Sequence, residues 1–265
     1  MSDSEQSRVF MFDSEDPEMQ KAFRQAQNTF RYFWRELVWD RRRIVPGLEL
    51  ACVKAIFVDP PNMRDPNNPG AEHMWLSDVD FDGQHISGTL LNAPNWIRSV
   101  REGDAVHVPL SDVSDWMYSL MGTIYGAFTV NLMRSRMSPH ELADHDGAWG
   151  MNFGDPRQIH LVSSADGSGP GNDLASDHPM SVNMQASFVE TLQQNPSFAF
   201  SADDRGWTML HELSLAGSTS CVPVLLQNGA NPNAQANDGK TPLWLSRVFG
   251  WEDVAQILMH HGARE

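Results

Sequence analysis

The sequence predicts an α+β N-terminal domain, one helix plus a curved antiparallel sheet or small open barrel, followed by an all-α repeat domain. Three observations predict it. Residues 17–39 place apolar side chains at three- and four-residue spacing, which is the stripe of an amphipathic helix. Residues 49–133 hold short β-branched and aromatic runs separated by turn residues, as strands of a sheet do. Residues 203–263 repeat themselves with a period of 33, so that Gly206 aligns with Gly239 and Gly217 with Gly250. A fixed period in this range belongs to stacked units, each unable to bury its apolar face alone.

Taken in order, residues 1–16 are polar and acidic and read as a flexible tail. Asp16 before Pro17 supplies a cap and a first turn for the helix carrying Met19, Phe23, Ala26, Phe30, Phe33, Trp34 and Leu37. Arg41-Arg42-Arg43 follows, where cations suit the helix dipole or form a small anion-binding spot. Strands are expected at 49–58, from 72 onward, at 85–91, at 105–110 and at 125–133, with a hairpin turn at Asp82-Gly83 and a helical turn at 112–117. Residues 17–137 therefore form the first domain. Residues 138–176, rich in Gly, Ser, Asp and Pro, read as linker or loop, and 177–265 as a helical cap plus two repeats.

Within the repeats, Thr208 and Thr241 can open a helix, and Gly229 and Gly262 suit its left-handed close. Gly239-Lys240-Thr241-Pro242-Leu243 and Gly229-Ala230-Asn231-Pro232-Asn233 resemble ankyrin repeats. Leu192 precedes Leu225 by one period, so 177–200 reads as a degenerate helical cap. The resemblance implies that residues flanking the turn glycine and ending the first helix meet partners. These are Arg205, Trp207, Leu215 and Ala216 in one copy, and Asp238, Lys240, Val248 and Phe249 in the next. Four are large apolar residues, which together would exceed the patch a monomer exposes. The surface therefore meets either an external partner or residues 1–135 of the same chain. In the first case, alanine at Trp207 and Phe249 abolishes capture and leaves the protein folded.

A second resemblance covers residues 22–134. Glu72-His73-Met74-Trp75, Gly88-Thr89-Leu90-Leu91-Asn92-Ala93-Pro94, Gly103-Asp104-Ala105-Val106 and Ser114-Asp115-Trp116-Met117-Tyr118 are similar to a YegJ-like bacterial family, which implies no particular activity. Ala127 departs from the pattern, where a second glycine is expected after Gly126.

His73, His85 and His107, with Glu72, Asp104 and Asp115, are the residues from which a metal or acid–base site would have to be built. They lack His-Glu-x-x-His or Cys-x-x-Cys spacing, and hydrogen-bonded or surface histidines are the alternative. Glu72, His73 and Asp115 are the candidates if the sheet carries an enzyme site; otherwise they satisfy turn amides beside core tryptophans. There is no Gly-x-Ser-x-Gly, neither Cys52 nor Cys221 has a histidine neighbour, and the stretch from Gly167 to Gly171 lacks the lysine ending of a phosphate cradle. The expectation is a protein with no catalytic residues, no cofactor and no metal.

The chain carries 19 bases against 34 acids, a formal charge of −15. That sign repels phosphate backbones and speeds capture of a basic partner. No apolar run reaches membrane-spanning length, and the two cysteines read as reduced core residues, so a cytoplasmic location is expected. Ankyrin proteins and small domains similar to this one occur among bacterial antitoxin partners, including immunity proteins of type VI secretion. The resemblance thus implies an immunity protein that binds a cognate basic toxin, a nuclease above all. An enzyme on the sheet and a general ankyrin scaffold are the alternatives.

Overall fold

The computed structural model describes residues 16–164, 166 and 169–265. The tail reading, for residues 1–15, and the Gly167-Ser168 part of the glycine-rich loop reading lie outside them.

Helix α1 runs over Pro17–Asp40, and the Asp16 carboxylate accepts from the Glu18 amide at 2.9 Å as its cap. Its apolar stripe lies across a six-stranded antiparallel sheet made of β1 (Leu48–Phe57), β2 (Glu72–Phe81), β3 (His85–Leu90), β4 (Ala105–Pro109), β5 (Val113–Leu120) and β6 (Thr123–Gly126). The spatial order is β4-β3-β2-β1-β5-β6, and the sheet does not close into a barrel. Trp116 of β5 anchors the helix, donating its indole N–H to the Ala26 carbonyl at 2.9 Å. Phe30, Phe33, Val53, Leu76, Phe81 and Tyr118 complete this core.

Two expectations fail in the middle of the chain. Residues 112–117 do not form a helical turn: a 3₁₀ turn at Leu110–Asp112 precedes β5, all eight residues of which are buried. Buried on both faces, the strand has no alternation to read. Nor is 125–133 a strand. β6 stops at Gly126 and helix α2 occupies Phe128–Ser135. A short apolar run fits either element, and the backbone decides. Gly126 and Ala127 both adopt positive φ, 74° and 58°, which breaks the strand and aims the chain into a helix. A Cβ on Gly126 would lie 2.3 Å from the Trp116 carbonyl oxygen. Ala127 meets the same demand with an alanine, at the position where the resemblance led us to expect glycine.

Residues 138–176, expected as linker or loop, contain helix α3 (Pro139–Trp149), opened by a capping box between Ser138 and Glu141. The buried Arg134 guanidinium holds it to α2 through Asp146 at 2.7 Å. The chain then returns along the sheet: the His160 carbonyl accepts from Gly126 at 2.8 Å, and the Leu161 carbonyl accepts from the Tyr118 hydroxyl at 3.2 Å. A two-residue pair, β7 (Val162–Ser163) and β8 (Pro170–Gly171), closes the segment. Hydrogen bonding to the core orders a stretch whose composition resembles a linker.

The repeat region consists of α4 (Pro179–Gln194), α5 (Met209–Leu215), α6 (Cys221–Gln227), α7 (Pro242–Val248) and α8 (Glu252–His260). Phe188 and Leu192 of α4 pack with Leu225 and Leu258 into one core, so each unit shares its buried face with the next. Trp39 of α1 belongs to this second core, stacked on His178 at 6.0 Å.

Candidate recognition site

The inner face of the repeats is filled by this chain's own β2–β3 hairpin. Phe81, the last residue of β2, stacks on Phe249 with ring centroids 5.2 Å apart, and Phe30 of α1 closes the trio at 6.0 Å from Phe249. At the tip, Asp80 pairs with Arg205 at 3.1 Å and Asp82 with Lys240 at 3.3 Å. The Arg205–Asp80 pair is nearly half exposed and worth little on its own. Lys240 keeps only 9 % of its side-chain exposure, so its pairing fixes register more firmly. Burial pushes the Asp82 carboxyl upward, but the His85 and Gln84 amides together with Lys240 outweigh it and hold the group below the usual carboxylate range.

Each residue expected to meet a partner can be placed. Trp207, Leu215, Ala216 and Phe249 are buried in the core shared with α1 and the sheet, at 4 %, 0 %, 0 % and 8 % exposure. Val248 packs against that core and lines a cavity of about 380 Å³ with Gln27, Arg31 and Ser111. Arg205 lies over the Trp207 ring at 4.7 Å, and Asp238 binds Lys240 at 2.7 Å. The free-surface reading is corrected for Trp207, Leu215, Ala216 and Phe249, which are buried in the core shared with the N-terminal domain, whereas Asp238 keeps 48 % side-chain exposure and pairs with Lys240. The apolar content that made them look sticky is satisfied within the chain.

The N-terminal half of this contact had no such signal in the sequence. Arg31 donates to the Phe249 carbonyl at 3.0 Å and lies over the Trp251 ring at 5.0 Å. Glu36 pairs with His178 at 2.9 Å, both buried. Burial raises the Glu36 carboxyl, but His178, Arg43 and Arg35 more than reverse this and leave it lowered. The three arginines after α1 bind the chain's own acids: Arg41 meets Asp80, Arg42 meets Glu212, and Arg43 meets Glu36. Only the hairpin turn at Asp82-Gly83 was legible. Gly83 has φ of 94°, and a Cβ there would fall 2.8 Å from both Trp244 and Leu245 of α7. Gly83→Ala is expected to cost about 1–3 kcal/mol. The same change at Gly103, also left-handed (φ 83°) but with nothing within 4 Å, reports the backbone part alone. Denaturant midpoints of the two variants give the contact's share as the difference.

Glu72, His73 and Asp115 do not come together as one site. Both oxygens of Glu72 accept from the amides of the 95–96 loop, at 3.0 and 3.1 Å. His73, on the opposite face of β2, stacks on Phe23 at 5.0 Å. Asp115 is fully buried and accepts from the amides of Trp116, Phe128 and Thr129 and from the Thr129 hydroxyl. It thereby caps α2 from the neighbouring strand, a task Ala127 cannot perform because it has no side-chain acceptor. Lys54 lies across from it in register and points its ammonium at the Thr129 hydroxyl, 3.4 Å away. Burial pushes the Asp115 carboxyl up and the Lys54 ammonium down, and each opposes the other's shift.

Burial, aided by Lys54, lowers the His73 pKa from 6.5 to about 4. The sign of its effect on stability follows. Above pH 6.5 neither folded nor unfolded chain is protonated there. Between pH 6.5 and 4 the unfolded chain takes up a proton that the folded chain refuses, so stability falls as pH falls. The full effect is about 3 kcal/mol. Urea unfolding of the protein and of His73→Phe at pH 7 and pH 4.5 checks it: the variant is expected to lose less stability on acidification.

Comparison with known proteins follows the same division. Residues 16–153 match the family described as "Uncharacterized protein conserved in bacteria (DUF2314)", and residues 180–265 match "Ankyrin repeats (3 copies)". NMB1133/NMB1171 of Neisseria meningitidis serogroup B, a protein named for its ankyrin repeats, is 39 % identical over 95 % of this chain and 97 % of its own length. Escherichia coli YegJ is 35 % identical over 23 % of this chain and 39 % of its own. Mouse protein phosphatase 1 regulatory subunit 27 is 36 % identical over 22 % of this chain and 38 % of its own.

Proposed function

We propose a function from one premise: this chain belongs to the bacterial DUF2314 family, with ankyrin repeats joined to the family domain. Ankyrin repeats are protein-interaction modules, and protein binding is the role they give this chain. The finer reading is an immunity protein, non-enzymatic and cytoplasmic, that neutralises a basic toxin by binding it. A nuclease suits best, because its nucleic-acid cleft is basic. The observation that carries the reading is the union of the two halves into a single electronegative body, held by the Phe81–Phe249 stack and the Lys240–Asp82 pair. With the inner face occupied, the partner meets the outer surface, where the charge of −15 accelerates encounter. Glu72 and Asp115 are each committed to backbone amides, which disfavours an enzyme site built from them. A relative over the repeats is named as a regulatory subunit of a phosphatase, a name in keeping with a protein-binding role.

The test is a pull-down with the intact tagged chain from its native source, followed by expression of the captured protein. The reading expects a basic protein that arrests growth when expressed alone and is tolerated when this chain is co-expressed, with an association rate that falls as salt rises. A captured protein that is harmless alone, or whose toxicity this chain does not relieve, contradicts it.

A further inference from the structure

The cavity beside Val248 has a volume of about 380 Å³, within the range of small-molecule sites, which favour domain junctions. Its walls come from both halves of the chain: Asn28 and Arg31 of α1, Leu110 and Ser111 of the turn before β5, and the end of α7. The chain carries 34 acids, yet among the described residues no acid lines this cavity, and one cation does, Arg31. Its guanidinium donates to the Phe249 carbonyl at 3.0 Å and to the Tyr32 hydroxyl at 2.7 Å, so neither partner is a carboxylate. Its Nε is buried with no hydrogen-bond partner among the described residues, and each Nη keeps one further N–H. Arg41, Arg42, Arg43 and Arg205, by contrast, each meet an acid. The Tyr32 and Trp251 rings, centred 4.8 and 5.0 Å from the Arg31 guanidinium carbon, hold it in place.

We propose that this cavity binds a monocarboxylate with a short aliphatic body, its carboxylate on Arg31 and its apolar part against Leu110, Val248 and Phe249. A guanidinium is a planar fork that matches a carboxylate. This one is already fixed by two hydrogen bonds and two rings, so binding spends little on ordering it. Phosphate and sulfate suit the site less, because they would lose hydration against the apolar side chains without a compensating bond. The same chemistry comes either from a free short-chain acid or from the C-terminal residue of a peptide. Since the walls belong to α1, the sheet domain and α7, an occupant stabilises the junction of the two halves. The inference stands apart from the toxin reading, which concerns the outer surface.

The test titrates the intact chain with sodium isovalerate, a short branched acid, at constant ionic strength, and follows the arginine Nε–H resonances by nuclear magnetic resonance. The expected result is a saturable shift of the Arg31 signal with a dissociation constant of about 1 mM. Arg31→Lys identifies that signal by deleting it. Isovaleramide and sodium phosphate are expected to bind at least about tenfold more weakly. Asn28 is exposed and lines the cavity, so Asn28→Asp should weaken isovalerate at least about fivefold by like-charge repulsion. Gln193→Glu, the same charge change at an exposed position of α4 outside the cavity, should leave the constant within about twofold. Asn28→Asp carries the test if Arg31→Lys does not fold. A valine-ended tripeptide, with its terminus free or amidated, separates the two sources. Tighter binding of the free-terminus peptide than of isovalerate assigns the site to a chain terminus, and weaker binding assigns it to a free acid. No saturable shift, equal binding of the amide or of phosphate, or indifference to Asn28→Asp overturns the proposal.

Discussion

Phe249→Ala is expected to destabilise the whole chain by about 3–5 kcal/mol. Phe249 ends α7 in sequence, yet its ring lies between Phe81 of the sheet and Phe30 of α1. Removing it opens a cavity at the junction of both halves, and the backbone carbonyl that Arg31 binds loses its packing. The sheet and the repeats should therefore lose stability together, seen as one cooperative transition at lower denaturant by both tryptophan fluorescence and far-UV circular dichroism. Had the residue faced solvent, the same change would have altered capture and left stability within about half a kcal/mol. Trp207→Ala, buried in the same core, follows the same rule.

Asp115→Ala carries the second large effect, also about 3–5 kcal/mol. The carboxylate is fully buried and receives three backbone amides and a hydroxyl. Without it the first turn of α2 keeps unsatisfied donors, and Lys54 loses the carboxylate that opposes the effect of its burial. The double change with Lys54→Met should recover part of the loss, because it removes the buried ammonium that Asp115 favours and leaves a side chain of similar volume. Equal stability of the single and double variants would show that Asp115 acts only as a cap.

The residues explain what could be read beforehand. The helix of residues 17–39 declared itself because its sheet-facing apolar residues recur at three- and four-residue spacing, although Tyr32, Glu36 and Trp39 on its other sides are buried too, and the repeats did because positions constrained by stacking, such as Gly206/Gly239, Leu210/Leu243 and Gly229/Gly262, recur in register. β5 hid because both its faces are covered, and α2 hid because the carboxylate that opens it, Asp115, comes from another strand. Residues 138–176 look like linker in composition, yet Tyr118 and Gly126 bind their carbonyls. At the recognition site the sequence showed which residues seek a surface but not which surface. Asp80 and Asp82 are ordinary hairpin acids until the fold brings Arg205 and Lys240 opposite them, more than a hundred residues along the chain.

The most direct test of the account is a nuclear Overhauser measurement between the ring protons of Phe81 and Phe249 in the intact chain, with phenylalanine selectively labelled. Stacked rings with centroids 5.2 Å apart should give a clear cross-peak that disappears in Phe249→Ala. Absence of the peak in a folded protein whose other core contacts are visible would mean that the inner face of the repeats is open, and would contradict the claim that this chain holds its own hairpin there.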